Sequence, residues 1–92
     1  MNPYRSELTA NFLKLFRRLP DDARKRARVV YRRWRENPNL PGLHFKRVWA
    51  NEPVYSVRVD TSYRVVGKLS GDLMKWDFIG NHAEYMRYLE SL

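Results

Sequence analysis

The sequence predicts an α+β fold, in which an N-terminal helical hairpin packs on a four-stranded antiparallel sheet and a short helix follows. Three observations predict it. Apolar residues recur at helical spacing up to residue 34, and they alternate with polar residues between residues 55 and 78. The connections between the alternating segments are too short for a parallel crossover. With 92 residues, the chain has the length of a single domain, residues 1–92, with one compact core.

The first two helices are predicted from two apolar stripes. The first stripe covers residues 8–19, and the second repeats the same spacing over residues 23–34. Asp21 or Asp22 can cap the second helix, and Pro38 ends it because the residue before a proline avoids helical angles. A short turn joins the two helices, so we expect an antiparallel hairpin.

Three strands are predicted where the apolar period changes to two. Their apolar residues are Tyr55, Val57 and Val59, then Tyr63, Val65, Gly67 and Leu69, then Met74, Trp76 and Phe78. Residues 60–62 and 70–72 have turn chemistry, and a further strand is predicted at residues 43–49. If the apolar residues face the helices, the opposite face of the sheet is polar and exposed to solvent. Its cations are Arg58, Arg64, Lys68 and Lys75, with Lys46 from the first strand.

The composition excludes several classes of protein. The absence of cysteine excludes a disulfide framework, a thiolate zinc site and a cysteine nucleophile. The two histidines are far apart and have no carboxylate at ligand spacing, so we expect no metal site. The sequence also lacks a glycine-rich phosphate loop, so we expect no cofactor. The N-terminus does not resemble a signal peptide, and no apolar run approaches about 18 residues. We therefore expect a soluble cytoplasmic protein without a membrane segment.

The positive charge is concentrated in the first half of the chain. Residues 1–49 carry 13 Lys and Arg against 4 Asp and Glu, whereas residues 50–92 carry 5 against 6. This asymmetry indicates a polyanionic partner: nucleic acid, an acidic protein segment or an anionic membrane surface. An ordinary solvated face is the alternative for the second helix. We expect binding, because seven cations in twelve residues repel one another; the four on its solvent side are Arg24, Arg28, Arg32 and Arg35.

The segment IGNHAEY contains the first candidate for chemistry. Asn81 and Glu84 have the spacing of a capping box, which places His82 at the first position of a helix and Tyr85 one turn further. The free N–H groups of a helix start favour an anion, and an imidazole there is suited to proton transfer. The alternative is a histidine and a tyrosine that only pack and hydrogen-bond.

The cations of the sheet are the second candidate. Arg58 and Arg64 are central in adjacent strands, so we expect them to bind phosphate and to stabilise the charge of a phosphorane. For Lys68 and Lys75 we favour an ordinary solvated position. Metal-free acid–base chemistry is what remains if the protein is an enzyme.

Residues 12–85 resemble the RelE/ParE superfamily of toxins from bacterial type II toxin–antitoxin systems. The matching pieces are LKLFRRLP followed by a basic helix ending in ENP, then PGLHFKRV, YSVRVDTSYRVV and WDFIGNHAEY. The resemblance implies a RelE-like fold and an acidic antitoxin that wraps the toxin, which is then a monomer alone or part of a toxin–antitoxin hetero-oligomer. It also implies an N-terminal strand, and residues 3–7 could form only a short one.

Function within this superfamily divides. RelE-like members are mRNA interferases that cut mRNA on the ribosome without metal, by attack of a ribose 2′-OH on the adjacent phosphate. ParE-like members inhibit DNA gyrase. The resemblance implies that Arg58 and Arg64 are the arginines of the interferase sheet, that Lys46 is its basic residue on the preceding strand, and that His82 and Tyr85 are its terminal pair. The carboxylate base of the family has no clear counterpart, so His82 is expected as the base and Tyr85 as orienter or acid.

The leading hypothesis is therefore a ribosome-dependent mRNA interferase. A gyrase inhibitor without catalysis is the second hypothesis. A non-catalytic protein that binds nucleic acid or a membrane surface through the second helix is the third.

Overall fold

The computed structural model describes residues 2–92. These residues form five strands, three α-helices and one short 3₁₀ helix at Pro41–Leu43. In chain order the elements are β1 (Arg5–Leu8), α1 (Ala10–Arg17), α2 (Asp21–Glu36), β2 (Lys46–Trp49), β3 (Val54–Arg58), β4 (Tyr63–Ser70), β5 (Leu73–Asn81) and α3 (His82–Glu90).

The strands form one mixed sheet in the order β1-β5-β4-β3-β2. Strands β2 to β5 pair antiparallel, as predicted, but β1 lies beside β5 and runs parallel to it. The prediction of a four-stranded sheet was therefore wrong by one strand. Strand β1 has only four residues, and its single apolar residue, Leu8, also fits the stripe of the following helix. That helix begins later than predicted, at Ala10, where the hydroxyl oxygen of Thr9 accepts a hydrogen bond from the N–H of Phe12 (3.1 Å).

Helix α2 extends to Glu36, with Asn37 as its C-cap, close to the predicted end. Its N-cap position is held by Pro20, not by either aspartate. Asp21 and Asp22 lie inside the first turn, where their negative charge stabilises the positive end of the helix.

Residues of α1 and α2 share one core with one face of the sheet, which we call the α1–α2 face. Phe12, Ala27 and Trp34 from the helices belong to the same buried cluster as Val57 and Trp76 from the strands. Large aromatic rings supply much of the buried apolar surface in such a cluster. The helices therefore cover the side of the sheet that carries the predicted apolar residues of β3 and β4.

The opposite side of the sheet, which we call the α3 face, is not the fully solvated surface that was predicted. Val54, Val66 and Phe78 form a second buried cluster there with Tyr85 of α3. Phe78 was expected beside Trp76 on the α1–α2 face, but the pairing of β4 with β5 shifts register between Val66 and Gly67. This β-bulge moves Phe78 to the other face.

Strand β2 is shorter than predicted. It begins at Lys46, after the 3₁₀ helix and after His44, whose φ of 47° lies in the left-handed region. Helix α3 begins as predicted, with Asn81 and Glu84 forming both hydrogen bonds of a capping box. Within residues 2–92, no helix combines the length and the apolar character needed to cross a bilayer.

Candidate functional site

Arg58 and Arg64 lie side by side at one end of the α3 face. They are direct partners in the register of β3 and β4, and Arg64 is in turn the partner of Gly80 in β5. Direct cross-strand partners have Cβ atoms about 4.5–5.5 Å apart. None of the ion pairs among residues 2–92 involves either arginine. Two adjacent cations without a carboxylate repel each other, so this end of the sheet is suited to an anion.

The guanidinium of Arg64 is anchored to the β3–β4 turn. Its Nη1 donates to the backbone oxygens of Asp60 (2.8 Å) and Tyr63 (3.3 Å). Its Nε and Nη2 make no hydrogen bond within residues 2–92, so the side chain is fixed while donors remain for a ligand.

The turn itself is held by the carboxylate of Asp60. This group accepts from the backbone N–H groups of Ser62 (2.7 Å) and Tyr63 (2.9 Å) and from Nε of Arg26 in α2 (2.6 Å). Burial alone would raise the pKa of Asp60, but these hydrogen bonds and the charge of Arg26 outweigh burial and lower it. Arg26 and Asp60 therefore position Arg64, a role that was not predicted. The turn signal DTS was recognised, but its contact with α2 is a tertiary feature.

Lys46 lies on the same face, one row further along the strands. It is the register partner of Ser56, which is paired with Val66, and Val66 belongs to the cluster under α3. Side chains two residues apart in a strand share a face, so Ser56 and Arg58 point to the same side. Ser56 is buried, whereas Lys46 is exposed on the edge strand.

His82 is the exposed first residue of α3 and follows Gly80 by two positions. Gly80 is the register partner of Arg64, so β5 carries the start of α3 to the end of the sheet where the two arginines lie. A Cβ at Gly80 would lie 2.6 Å from Cζ of Phe78 and 3.1 Å from Cβ of Glu84. The helix approaches the strand this closely because residue 80 has no side chain.

Tyr85 differs from His82 in exposure. The two rings are 6.3 Å apart between centroids and inclined by 39°, as expected for neighbours one turn apart. Tyr85 is only 8% exposed and packs in the cluster with Val66 and Phe78. Its position suits the support of the imidazole better than direct contact with a ligand.

The structure separates the other predicted cations from this end. Lys68 and Lys75 are register partners of each other near the far end of β4 and β5, and Lys75 also pairs with Glu7 of β1. At about 3.3 Å per residue, four residues place Lys68 about 13 Å from Arg64 along the strand. Both lysines are exposed.

The arginines of α2 belong to the opposite face of the sheet, and some of them make contacts within the fold. Arg24 pairs with Asp21 and donates to the backbone oxygen of Leu19 (2.6 Å). The guanidinium carbons of Arg28 and Arg35 lie over the rings of Phe16 (5.3 Å) and Tyr31 (5.8 Å), whereas Arg32 is simply exposed. The α2 cations therefore do not join His82 in one site.

Comparison with known proteins shows the family. A model of the ParE-like toxin domain matches residues 21–87, well over half of the chain. The chain belongs to the ParE-like toxin domain family. The resemblance to the RelE/ParE superfamily of toxin–antitoxin toxins is thereby confirmed. No curated protein matches the sequence significantly.

Solved structures of this superfamily share the fold at low sequence identity. The RelB–RelE antitoxin–toxin complex from Methanococcus jannaschii contains a chain with a TM-score of 0.72 and 20% identity, over 88% of this chain and 95% of that chain. YafQ from E. coli gives 0.69 and 15%, over 89% and 97%. A YoeB/ParE toxin from Agrobacterium tumefaciens gives 0.65 and 13%, over 85% and 98%. This ParE-like toxin domain therefore has the same fold as RelE and YafQ, including the α+β architecture.

Proposed function

We propose that the protein is an mRNA interferase that cuts mRNA on the ribosome, with its site at the end of the α3 face. The observation that carries the proposal is the register, which aligns Arg58 and Arg64 with Gly80, two residues before the start of α3. Within residues 2–92 neither arginine belongs to an ion pair. The exposed imidazole of His82 lies two residues after Gly80. A pair of cations beside a potential base is the arrangement that metal-free phosphodiester cleavage needs.

In the proposed reaction, the imidazole of His82 accepts the proton of a ribose 2′-OH. The 2′-oxygen attacks the adjacent phosphorus, and Arg58 and Arg64 stabilise the additional negative charge of the phosphorane. The bond to the 5′-oxygen then breaks, and that oxygen takes a proton from Lys46. The products are a 2′,3′-cyclic phosphate and a 5′-OH, so atoms and protons balance. Because Tyr85 is nearly buried, we assign it the orientation of His82.

We also propose an acidic antitoxin as the partner of this protein. Structures of related toxins are complexes with the antitoxins RelB and DinJ. The net charge of +8 favours an acidic partner, which can neutralise the toxin as a hetero-oligomer.

A cleavage assay with purified components tests the proposed function. Ribosomes programmed with a defined mRNA are incubated with the protein in a Mg²⁺ buffer, and the same mRNA without ribosomes in the same buffer is the comparison. We expect ribosome-dependent cuts with 2′,3′-cyclic or 3′-phosphate ends. The readout is primer extension together with the chemistry of the RNA ends.

Intact mRNA under these conditions, together with inhibition of gyrase supercoiling, would contradict the proposal and select the gyrase inhibitor. Binding of nucleic acid or anionic vesicles without either activity would select the non-catalytic protein. In that case, affinity should fall mainly on substitution of Arg24, Arg28 and Arg32.

A further inference from the structure

Ser56 is the only buried hydrophilic residue among residues 2–92, with 3% of its surface exposed. It lies in the middle of β3 on the α3 face, between the buried Val54 of the same strand and its register partner Val66 in β4. Buried strand positions favour β-branched apolar residues, because these pack well against their neighbours. A valine would suit position 56 at least as well, so packing does not explain the serine.

The hydroxyl of Ser56 has no hydrogen-bond partner within residues 2–92. The serine side chains of this part of the chain that form hydrogen bonds are those of Ser6 and Ser91. Polar side-chain atoms that are both enclosed and unpartnered are limited, in the same residues, to two indole nitrogens. The Ser56 hydroxyl is not one of them, so it keeps an opening to solvent. A buried residue therefore presents an unpartnered donor on the α3 face.

Two cations flank Ser56 on this face of the sheet. Lys46 is its register partner in β2, and Arg58 follows it by two positions, about 7 Å along β3. Ammonium and guanidinium groups donate hydrogen bonds and accept none, so neither can accept from the hydroxyl. No ion pair among residues 2–92 involves Lys46 or Arg58. One anion with several oxygens can therefore serve as the acceptor for all three groups.

We propose that the hydroxyl of Ser56 donates a hydrogen bond to a non-bridging oxygen of the scissile phosphate, between the charges of Lys46 and Arg58. This inference rests on the proposed function and adds a neutral donor to its site. Ser56 keeps its proton throughout, so the proton transfers to His82 and from Lys46 are unchanged. A donor fixed in a strand stabilises the transition state most, because the phosphate oxygens carry additional charge there.

Single-turnover cleavage of ribosome-bound mRNA by Ser56→Ala tests the contact. We expect the rate to fall about 10- to 100-fold, as for the loss of a hydrogen bond to a charged group. The urea midpoint of unfolding should stay the same or rise, because an unpartnered hydroxyl is removed. Ser70→Ala, which removes an exposed hydroxyl at the far end of β4, is the control and should keep both wild-type values. A wild-type rate in Ser56→Ala, or a loss of rate together with a lower urea midpoint, would overturn the proposal.

A phosphorothioate at the scissile position tests which atom is contacted. Sulfur is a weaker hydrogen-bond acceptor than oxygen, so one of the two diastereomers should slow wild type more than it slows Ser56→Ala. The difference should be about the factor by which Ser56→Ala slows cleavage of the unmodified mRNA, because both changes remove the same hydrogen bond. Equal effects of each diastereomer on the two proteins would contradict the contact.

Binding of a short fluorescent 2′-fluoro RNA separates this contact from cleavage, because such an RNA has no 2′-OH to attack the phosphate. In fluorescence anisotropy with the full chain, we expect Ser56→Ala to bind about three- to tenfold more weakly than wild type and Ser70→Ala to bind equally. If wild type shows this difference but cuts no mRNA, the cleavage proposal fails and the phosphate contact stands. If wild type cuts mRNA and Ser56→Ala cuts it equally fast, cleavage stands and the contact fails. Without cleavage, equal affinities of wild type and Ser56→Ala would contradict both.

Discussion

Arg58 and Arg64 are direct cross-strand partners on the α3 face, with no carboxylate paired to either within residues 2–92. Like charges placed directly opposite each other in a sheet are destabilising. The fold tolerates this pair and fixes one member through the backbone oxygen of Asp60. An anion bound between the two guanidinium groups would relieve this repulsion, as the proposed contact with phosphate requires.

Removing either arginine should abolish most cleavage. Arg58→Ala and Arg64→Ala are each expected to lower the rate of ribosome-dependent mRNA cleavage about 10²- to 10³-fold, as for the loss of one charge-stabilising group. Lys68→Ala is the matched control, because Lys68 is a cation of the same face at the far end of β4. The rate is measured by single-turnover primer extension. A rate near wild type for Arg58→Ala and Arg64→Ala would place the site elsewhere.

The same repulsion predicts that Arg58→Gln stabilises the free protein. We expect the free energy of unfolding to rise by roughly 0.2–1 kcal/mol at low ionic strength, since a repulsive pair is removed. Urea denaturation measures this difference, which should shrink in 0.5 M salt because salt screens exposed charges. A destabilised variant at low salt would show that Arg58 makes a favourable contact in the free fold.

Gly67 is required by the packing of Trp76. A Cβ at position 67 would lie 2.6 Å from Cε3 of Trp76 and 2.9 Å from the sulfur of Met74, and both side chains are fully buried. Gly67→Ala should therefore lower the free energy of unfolding by about 1–3 kcal/mol. Gly42→Ala is the control, because a Cβ at position 42 meets no atom within 4 Å. Equal stability of the two variants in thermal or urea denaturation would contradict this account of the close contact.

Tyr88 links α3 to β5, and its contribution to the free energy of unfolding should decrease at alkaline pH. Its hydroxyl donates to a carboxylate oxygen of Asp77 (2.8 Å), whose other oxygen accepts from Thr9 (2.8 Å). Burial, followed by the hydrogen bond to Asp77 and its charge, raises the pKa of Tyr88 above its ordinary value. Because the folded pKa exceeds the unfolded value of about 10, this contribution is complete below pH 10 and is lost as pH rises further.

Tyr88→Phe tests this linkage. At pH 8 the variant should be less stable than wild type by about 1 kcal/mol, the size of one hydrogen bond. Between pH 10 and pH 11 the difference should shrink, because only wild type has an unfolded-state Tyr88 that ionises. Urea denaturation at several pH values gives both curves. A difference that stays constant from pH 8 to pH 11 would be inconsistent with the raised pKa.

Most of the fold was predicted from local patterns, because the spacing of apolar residues within a helix or strand is visible in that segment alone. The stripe that ends at Trp34, the alternation around Val57 and the capping box at Asn81 all appear in the structure. The features that were not predicted depend on contacts between different elements. Strand β1 is stabilised by pairing with β5, and the bulge that redirects Phe78 is a property of two strands together.

The candidate site was predicted in part for the same reason. Strand alternation placed Arg58 and Arg64 on one face, and the capping box placed His82 at a helix start. The anchoring of Arg64 by Asp60, and the contacts of Arg24 with the end of α1, depend on which elements meet in space. A sequence pattern carries no direct signal for such contacts.

A double-mutant cycle between His82 and Arg58 measures most directly whether the start of α3 and the sheet arginines form one catalytic site. Single-turnover rates of mRNA cleavage are compared for wild type, His82→Asn, Arg58→Ala and the double variant, with His44→Asn as the control for the other exposed histidine. Groups that act as a unit have non-additive effects. We predict that each single variant loses most activity, that the double variant is little slower than the slower single one, and that His44→Asn keeps the wild-type rate. Cleavage at the wild-type rate by His82→Asn, or effects of the two substitutions that simply multiply, would contradict a common site.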